Sequence, residues 1–283
     1  MANIECTSAQ AGVPSVFVDV DNITDAQVIR ARKRLDDFLR SGNQISTAVA
    51  DAFIEVVTAC PLANPSDLWQ HVIYRHLIQS GWNDNKWKRV SGFALERAFV
   101  KLYASRLQPH GIRMRIVPSV DANRLLNNLG IMNTRSTKVD LFLEGDANGF
   151  WSVFGAAHVK SSIAERIQDD VPASTAFMAR GLLSIAITMD SKSYPPPHGI
   201  GINYGELGGR SVGVEKERLK RNYIEVNGQF DGLFSFNLRT PPSPAITVSG
   251  KRIYTMSFFD SQPDQFVEFL LRRWRQHIVN IRI

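Results

Sequence analysis

The sequence predicts an α/β fold: a mixed sheet flanked by helices, with a helical N-terminal region. Three observations carry this expectation. Apolar residues recur at helical spacing through roughly the first 110 positions. After that the pattern changes to alternating and short apolar runs, the texture of strands. One run, LLSIAITM (182–189), is apolar without interruption, as in a strand buried on both faces.

The elements follow in order. Residues 24–41 place Val28, Ala31, Leu35 and Phe38/Leu39 on one face, with Thr24 as N-cap and Gly42 at the C-terminal end. Residues 44–59 and 66–79 read as two more helices, the second introduced by Pro65-Ser66 and stopped by Gly81. WNDNKWKR (82–89) reads as a polar, basic loop, followed by a helix from Ser91 through about Leu107 that Pro109 and Gly111 end. IRMRIVPS (112–119) alternates like a strand, and 121–128 suits a short helix. KVDLFLEG (138–145) and FWSVFGAAHVKSS (150–162) are strand-like around a GDANG turn. A short helix over 163–170 before Pro172 and another over 173–180 lead into the apolar run. Then come a long irregular loop (193–209), a charged helix (211–225), strands at 230–238 and 252–259, and a last helix over 263–279 whose end carries Arg272, Arg273 and Arg275.

Composition narrows the class. The 283 residues are 44% hydrophobic and 21% charged, which excludes a disordered chain, a collagen and a coiled-coil rod. Cys6 and Cys60 are too few for a disulfide framework or a four-cysteine zinc site. The first residues lack the basic and apolar regions of a secretory signal, and no apolar stretch reaches the ~20 residues a membrane span needs. A soluble protein of a reducing cytoplasm is expected. Lys and Arg outnumber Asp and Glu by 33 to 27, and the resulting +6 permits a polyanionic partner without requiring one.

The chemistry-bearing residues centre on Asp140 and Lys160. Asp140 lies in an apolar segment, where a carboxylate is costly unless paired or bound to a metal. Lys160 ends the next strand-like segment, and a wide GDANGFW loop would make the two cross-strand neighbours on one face. The carboxylate suits a hard cation such as Mg²⁺. The lysine suits positioning or deprotonating a water, or stabilising charge on a phosphate. A second acid is needed, and Asp170 and Glu96 are the candidates; His158, two before the lysine, is a poor Mg²⁺ ligand. The plain alternatives are a cross-strand salt bridge for Asp140 and Lys160, boundary charges for Asp169 and Asp170, and pairing of Glu96 with Arg97 or Lys101.

Asp140 followed by Ala157-His158-Val159-Lys160 resembles the PD-(D/E)XK nucleases, and more narrowly the type II restriction endonucleases. Val139-Asp140 stands where that family has Pro-Asp, and His158 departs from its (D/E)-x-Lys pattern. Lys160-SSIA-Glu165-Arg166 is similar to the Lys-x4-Glu-Arg motif of a branch that recognises CCGG-like sites. In that branch the second acid lies on the following helix, where Asp170 stands, and Glu96 resembles the helix glutamate that often completes the site. The resemblance covers about residues 86–190. It implies a restriction-endonuclease-like core (86–283) with a helical N-terminal region (1–85) packed on it, or one single domain. It also implies Mg²⁺ held by Glu96, Asp140 and Asp170, no nucleotide cofactor and a prokaryotic cytoplasm. The partner would be double-stranded DNA, met by a homodimer, with a higher oligomer left open. Glu165 would accept from cytosine and Arg166 donate two hydrogen bonds to guanine. Lys86, Lys88 and Arg89 would add phosphate or base contacts, Arg89 being the groove-reading candidate.

Other classes stay open at this point. A nuclease of the same fold could cut by DNA structure, in repair or junction resolution, and a non-catalytic DNA-binding protein could keep the fold. VFVDVDN (16–22) looks like the Asp-x-Asp strand end of a metal-dependent phosphatase, through Asp19 and Asp21, but a run of helices follows it instead of alternating strands and helices. The glycine-rich stretch 195–209 lacks the lysine of a phosphate-binding loop.

Overall fold

The computed structural model describes residues 1–6, 15–131, 138–163, 166–191, 204–207, 219–259 and 263–281. An antiparallel ribbon comes first, β1 (Ala2–Cys6) with β2 (Val16–Val20). The ribbon precedes the expected helical stretch, which begins at Asp25. It also removes Asp19 and Asp21 from a phosphatase-like frame, because β2 pairs with β1 and is no member of the main sheet. Asp19 accepts a hydrogen bond from Asn3 and lies exposed.

Helix α1 (Asp25–Arg40) opens on Thr24, whose hydroxyl accepts from the Gln27 N–H while the Gln27 side chain reaches back to the Thr24 backbone. Helix α2 (Ile45–Ala59) follows. Helix α3 (Pro65–Asp67) then widens into a π-helical stretch over Leu68–Tyr74, where the Arg75 N–H donates to the Gln70 carbonyl, and resumes as α4 (Arg75–Gln79). Helix α5 (Asp84–Leu107) begins well before Ser91. The segment expected to be a loop is its first two turns, capped by Asn83, with Trp87 buried among exposed charges. Trp87 packs on Trp69 and Tyr74, and that tertiary contact decides the helix where periodicity alone is weak.

The main sheet has six strands in sequence order: β3 (Ile112–Arg115), β4 (Leu141–Ala147), β5 (Phe150–Lys160), β6 (Leu183–Thr188), β7 (Gly232–Ser235) and β8 (Ile253–Thr255). The first three are antiparallel and the last four mutually parallel. Between β4 and β5 the connection is not wide. It is a two-residue Asn148-Gly149 turn, both residues at positive φ (58° and 88°), the type I′ geometry that Asn-Gly favours. A bulge at Leu143/Glu144 then shifts the register.

Helix α6 (Ser119–Asn128) precedes β4, and α7 (Arg166–Ala179) joins β5 to β6. The two short helices expected around Pro172 are this single helix, with Pro172 inside it. The parallel β5–β6 pairing requires such a crossover. The short α8 (Asn222–Glu225) is the described part of the charged segment 211–225, and α9 (Gln265–Ile281) closes the chain. Because α9 continues to Ile281, Arg272, Arg273 and Arg275 sit in its middle and not at its end.

One face of the sheet packs on α2, α5 and α9 through Phe53, Phe99, Leu143, Val159, Ile187 and Trp274. The same core takes in Ile4, Val18 and Leu35, so residues 1–85 share it with the sheet. The other face packs on α6 and α7 through Leu126, Phe142, Ala156 and Phe177. Arg239, beyond β7, donates to both oxygens of buried Asp67 at 2.8 and 2.7 Å and ties α3 to the sheet. No helix among the described residues is long and apolar enough to cross a membrane.

Candidate active site

Antiparallel pairing brings the start of β4 and the end of β5 to one edge of the molecule. Leu141 pairs with Ala157, so the residue before it, Asp140, stands opposite His158 just outside β4, not within a strand as the sequence suggested. Residues 158 and 160 share a face, and the Asp140 carboxylate reaches diagonally to the lysine. Its Oδ2 accepts from the Val159 N–H at 2.7 Å and from Lys160 Nζ at 2.9 Å. Helix α7 delivers the second acid: Asp170 Oδ2 lies 2.8 Å from the same Nζ. Lys160 is thus clamped between two carboxylates, with only 20% of its side chain exposed. Burial pushes the ammonium pKa down, but Asp140 and Asp170 together outweigh burial and hold it above the ordinary lysine value. The group is therefore a charged donor and not a base in this state.

Glu96 approaches from α5 on the opposite face. It is buried to 7% exposure, and its pKa rises from the ordinary 4.5 to about 8. Burial is the main cause, the Asp140 charge adds to it, and Lys160 and Arg97 oppose it. Arg97 and Lys101 pair instead with Gln44 and Asp51. Asp169 pairs with Lys138 at 3.3 Å and points away from the lysine clamp.

His158 is fully enclosed. Its Nε2 contacts Ser184 Oγ at 3.2 Å, its ring meets Phe230 edge-on, and Nδ1 lies 4.0 Å from Asp170. Burial lowers its pKa against the pull of Asp170 and Asp140, so the imidazole is neutral at pH 7. A neutral wall residue thus occupies the position where the resembled family carries an acid.

Three carboxylates face one ammonium. Among the described residues no three His, Cys, Asp or Glu groups converge closely enough to hold a metal ion outright. The donor set of Asp140, Asp170 and Glu96 is nonetheless all oxygen, which suits a hard divalent cation.

No protein-family model matches the chain. A curated relative does: the type II restriction enzyme AgeI of Thalassovita gelatinovora is 44% identical over 235 residues, which cover 79% of this chain and 82% of the relative. The chain belongs to the type II restriction endonucleases. It is an endonuclease that cuts DNA sequence-specifically. The restriction endonuclease fold follows as well: a crystal structure of specific restriction endonuclease AgeI with DNA superimposes at TM-score 0.84 and 36% identity, covering 96% of this chain and 99% of that one.

Of the residues expected at the site of this endonuclease, Asp140, Lys160 and Asp170 meet directly, and Glu96 couples to them through charge. Arg166 begins α7, one turn before Asp170; its side chain and all of Glu165 lie outside the described residues, as do 192–203 and 208–218, which hold most of the glycine-rich stretch. Arg89 is exposed on α5, as are Lys86 and Lys88.

Sequence reasoning missed Asp190. It follows β6, buried and at positive φ, and accepts from the Glu206 N–H at 2.6 Å, the Leu207 N–H at 3.2 Å and the Thr240 hydroxyl at 3.1 Å. Gly205 passes so close that a Cβ there would lie 2.1 Å from its carboxylate. The backbone on either side of Asp190 bonds to the Lys160 and Ser161 carbonyls, so this bracket buttresses the end of β5. The sequence signal was an acid directly after a buried strand, at the sheet edge that carries Lys160.

Proposed function

We propose that this endonuclease hydrolyses double-stranded DNA with Mg²⁺ at a short symmetric site with a CCGG-like core, through the Asp140–Lys160–Asp170 cluster as a PD-(D/E)XK-type centre. The clamp of Lys160 by two acids from different elements carries the reading. A simple surface salt bridge needs one acid and no burial. Here a half-buried ammonium is held at one sheet edge by carboxylates from the residue before β4 and from a crossover helix.

Asp140, Asp170 and Glu96 would hold the Mg²⁺, which when bound supplies Lewis-acid charge at the phosphate and acidifies water. Lys160, kept protonated by its neighbours, donates to the non-bridging phosphate oxygen on which charge grows in the transition state, and orients the attacking water. The water oxygen bonds to phosphorus, the bond to the 3′ oxygen breaks in line, and the products are a 5′-phosphate and a 3′-hydroxyl. His158, neutral and enclosed, adds no charge that would compete with Lys160 for the acids. Glu165 and Arg166 precede Asp170 by five and four residues, so base reading and cutting would share one short stretch of chain, with Arg166 reading guanine and Glu165 cytosine. A symmetric site calls for a C2 homodimer on DNA.

Digestion of a plasmid with Mg²⁺ tests this. The expected result is a fixed set of fragments from the wild type and none from Lys160→Ala. A smear, or equal cutting by Lys160→Ala, contradicts it.

A further inference from the structure

We infer that the N-terminal half of α5 docks on the DNA beside the scissile phosphate, with Gly92 and Phe93 forming the contact surface. The inference rests on the nuclease reading and deepens it.

Asn85, Arg89, Phe93 and Glu96 follow one another at intervals of four, four and three, and Gly92 stands four before Glu96, so they lie along one stripe of α5. Glu96, at the buried end of the stripe, lies on the helix that packs against β5, the strand that ends in Lys160. Phe93 precedes it by one turn, about 4.5 Å along the axis, and Arg89 by about 10.5 Å. The stripe therefore runs from the catalytic centre along a distance that spans a few base pairs.

Two observations on this stripe find no account among the described residues. Phe93 is 61% exposed in a helix whose other aromatic residues, Trp87, Phe99 and Tyr103, are buried. Gly92 sits inside the helix at negative φ, where glycine weakens a helix relative to alanine, yet a Cβ there would meet nothing within 4 Å. Among the described residues nothing explains the missing side chain. A partner that approaches the helix backbone at Gly92 and covers Phe93 explains both.

Charge identifies the partner. Lys86, Lys88 and Arg89 are exposed on these turns, and the acid among them, Asp84, accepts from the Tyr74 hydroxyl at 2.7 Å. An exposed aromatic on a helix whose first turns carry three exposed cations and which packs against the strand of Lys160 fits a DNA strand. Gly92 admits the sugar–phosphate backbone, Phe93 packs on the sugar and base edge, and Lys86 and Arg89 take flanking phosphates. Phe93 is a positioning residue: it holds the strand while Glu96 faces the reacting phosphate.

The test uses full-length protein, the duplex site mapped from wild-type cleavage, and Gly92→Ala, Phe93→Ala and Phe93→Leu. Gly92→Ala is expected to raise the melting temperature by about 2 °C, as helix propensity dictates, while weakening DNA binding about tenfold. Phe93→Ala should leave the melting temperature unchanged and lose about tenfold in affinity, with Phe93→Leu recovering part of it. Wild-type binding and cutting by Gly92→Ala and Phe93→Ala overturns the inference alone. So does a loss of affinity that merely tracks a lower melting temperature. A wild type that neither cuts nor binds duplex DNA overturns the nuclease reading and the inference with it.

Discussion

Replacing Glu96 with glutamine isolates what the metal-free site costs the fold. Glu96 is buried, and its pKa in the folded protein is about 8 against the ordinary 4.5. Below pH 4.5 both folded and unfolded chains carry the proton, and Glu96 costs nothing. As pH rises past 4.5 the unfolded chain releases the proton while the folded chain keeps it, so stability falls by about 1.4 kcal/mol per pH unit. At pH 7 the deficit is about 3 kcal/mol, and it levels off above pH 8. Glutamine keeps the shape and does not titrate. Urea unfolding in chelator should therefore show Glu96→Gln equal to wild type near pH 4 and more stable by about 3 kcal/mol at pH 7. Mg²⁺ should narrow the gap by stabilising ionised Glu96 in the wild type, and the variant should lose cleavage. A variant no more stable than wild type at pH 7, or a gap that shrinks as pH rises, would refute the reasoning.

Two other substitutions probe the site and a third the core packing behind it. Lys160→Met leaves Asp140 and Asp170 facing each other without their shared ammonium; it should destabilise the metal-free protein by about 3 kcal/mol at neutral pH in thermal melts and abolish cleavage while sparing specific binding. Arg166→Ala should lose about 1–3 kcal/mol of discrimination, read as the ratio of cleavage rates on the mapped site and on singly substituted sites; an unchanged ratio removes Arg166 as a reader. Gly145→Ala would place a Cβ 2.3 Å from the Trp274 ring, so β4 or α9 must shift, and urea unfolding should show a loss of about 1–3 kcal/mol.

The sequence shows elements where local chemistry and burial agree. Thr24 caps α1 and the run 182–189 gives buried β6, because neither depends on distant residues for its pattern. Asp140 and Lys160 were legible because a costly acid in an apolar context and a lysine ending a strand stand out singly, whereas Asp170 was one of two candidate second acids, matched through the family resemblance. Their exact meeting was not legible. The tight Asn148-Gly149 turn and the bulge at Leu143/Glu144 set the register, and together they put Asp140 opposite His158. The start of α5 was hidden because its first turns are charged and its one anchor, Trp87, finds its partners on earlier helices. Strand β1 depends on pairing with β2, and the Asp190 bracket joins segments as far apart as residues 190 and 240, which no local window contains. Pro172 argued for a helix break, yet the crossover between parallel β5 and β6 holds α7 as one helix through it.

Site-specific, metal-dependent hydrolysis at the lysine clamp leaves its mark on every DNA end the enzyme makes. Sequencing all ends from a genomic digest with Mg²⁺ reads that mark. All ends from the wild type should fall at one symmetric sequence containing a CCGG-like core, each with a 5′-phosphate, and Asp140→Asn should give none. Ends scattered without a common sequence, or the same ends from Asp140→Asn, would contradict it.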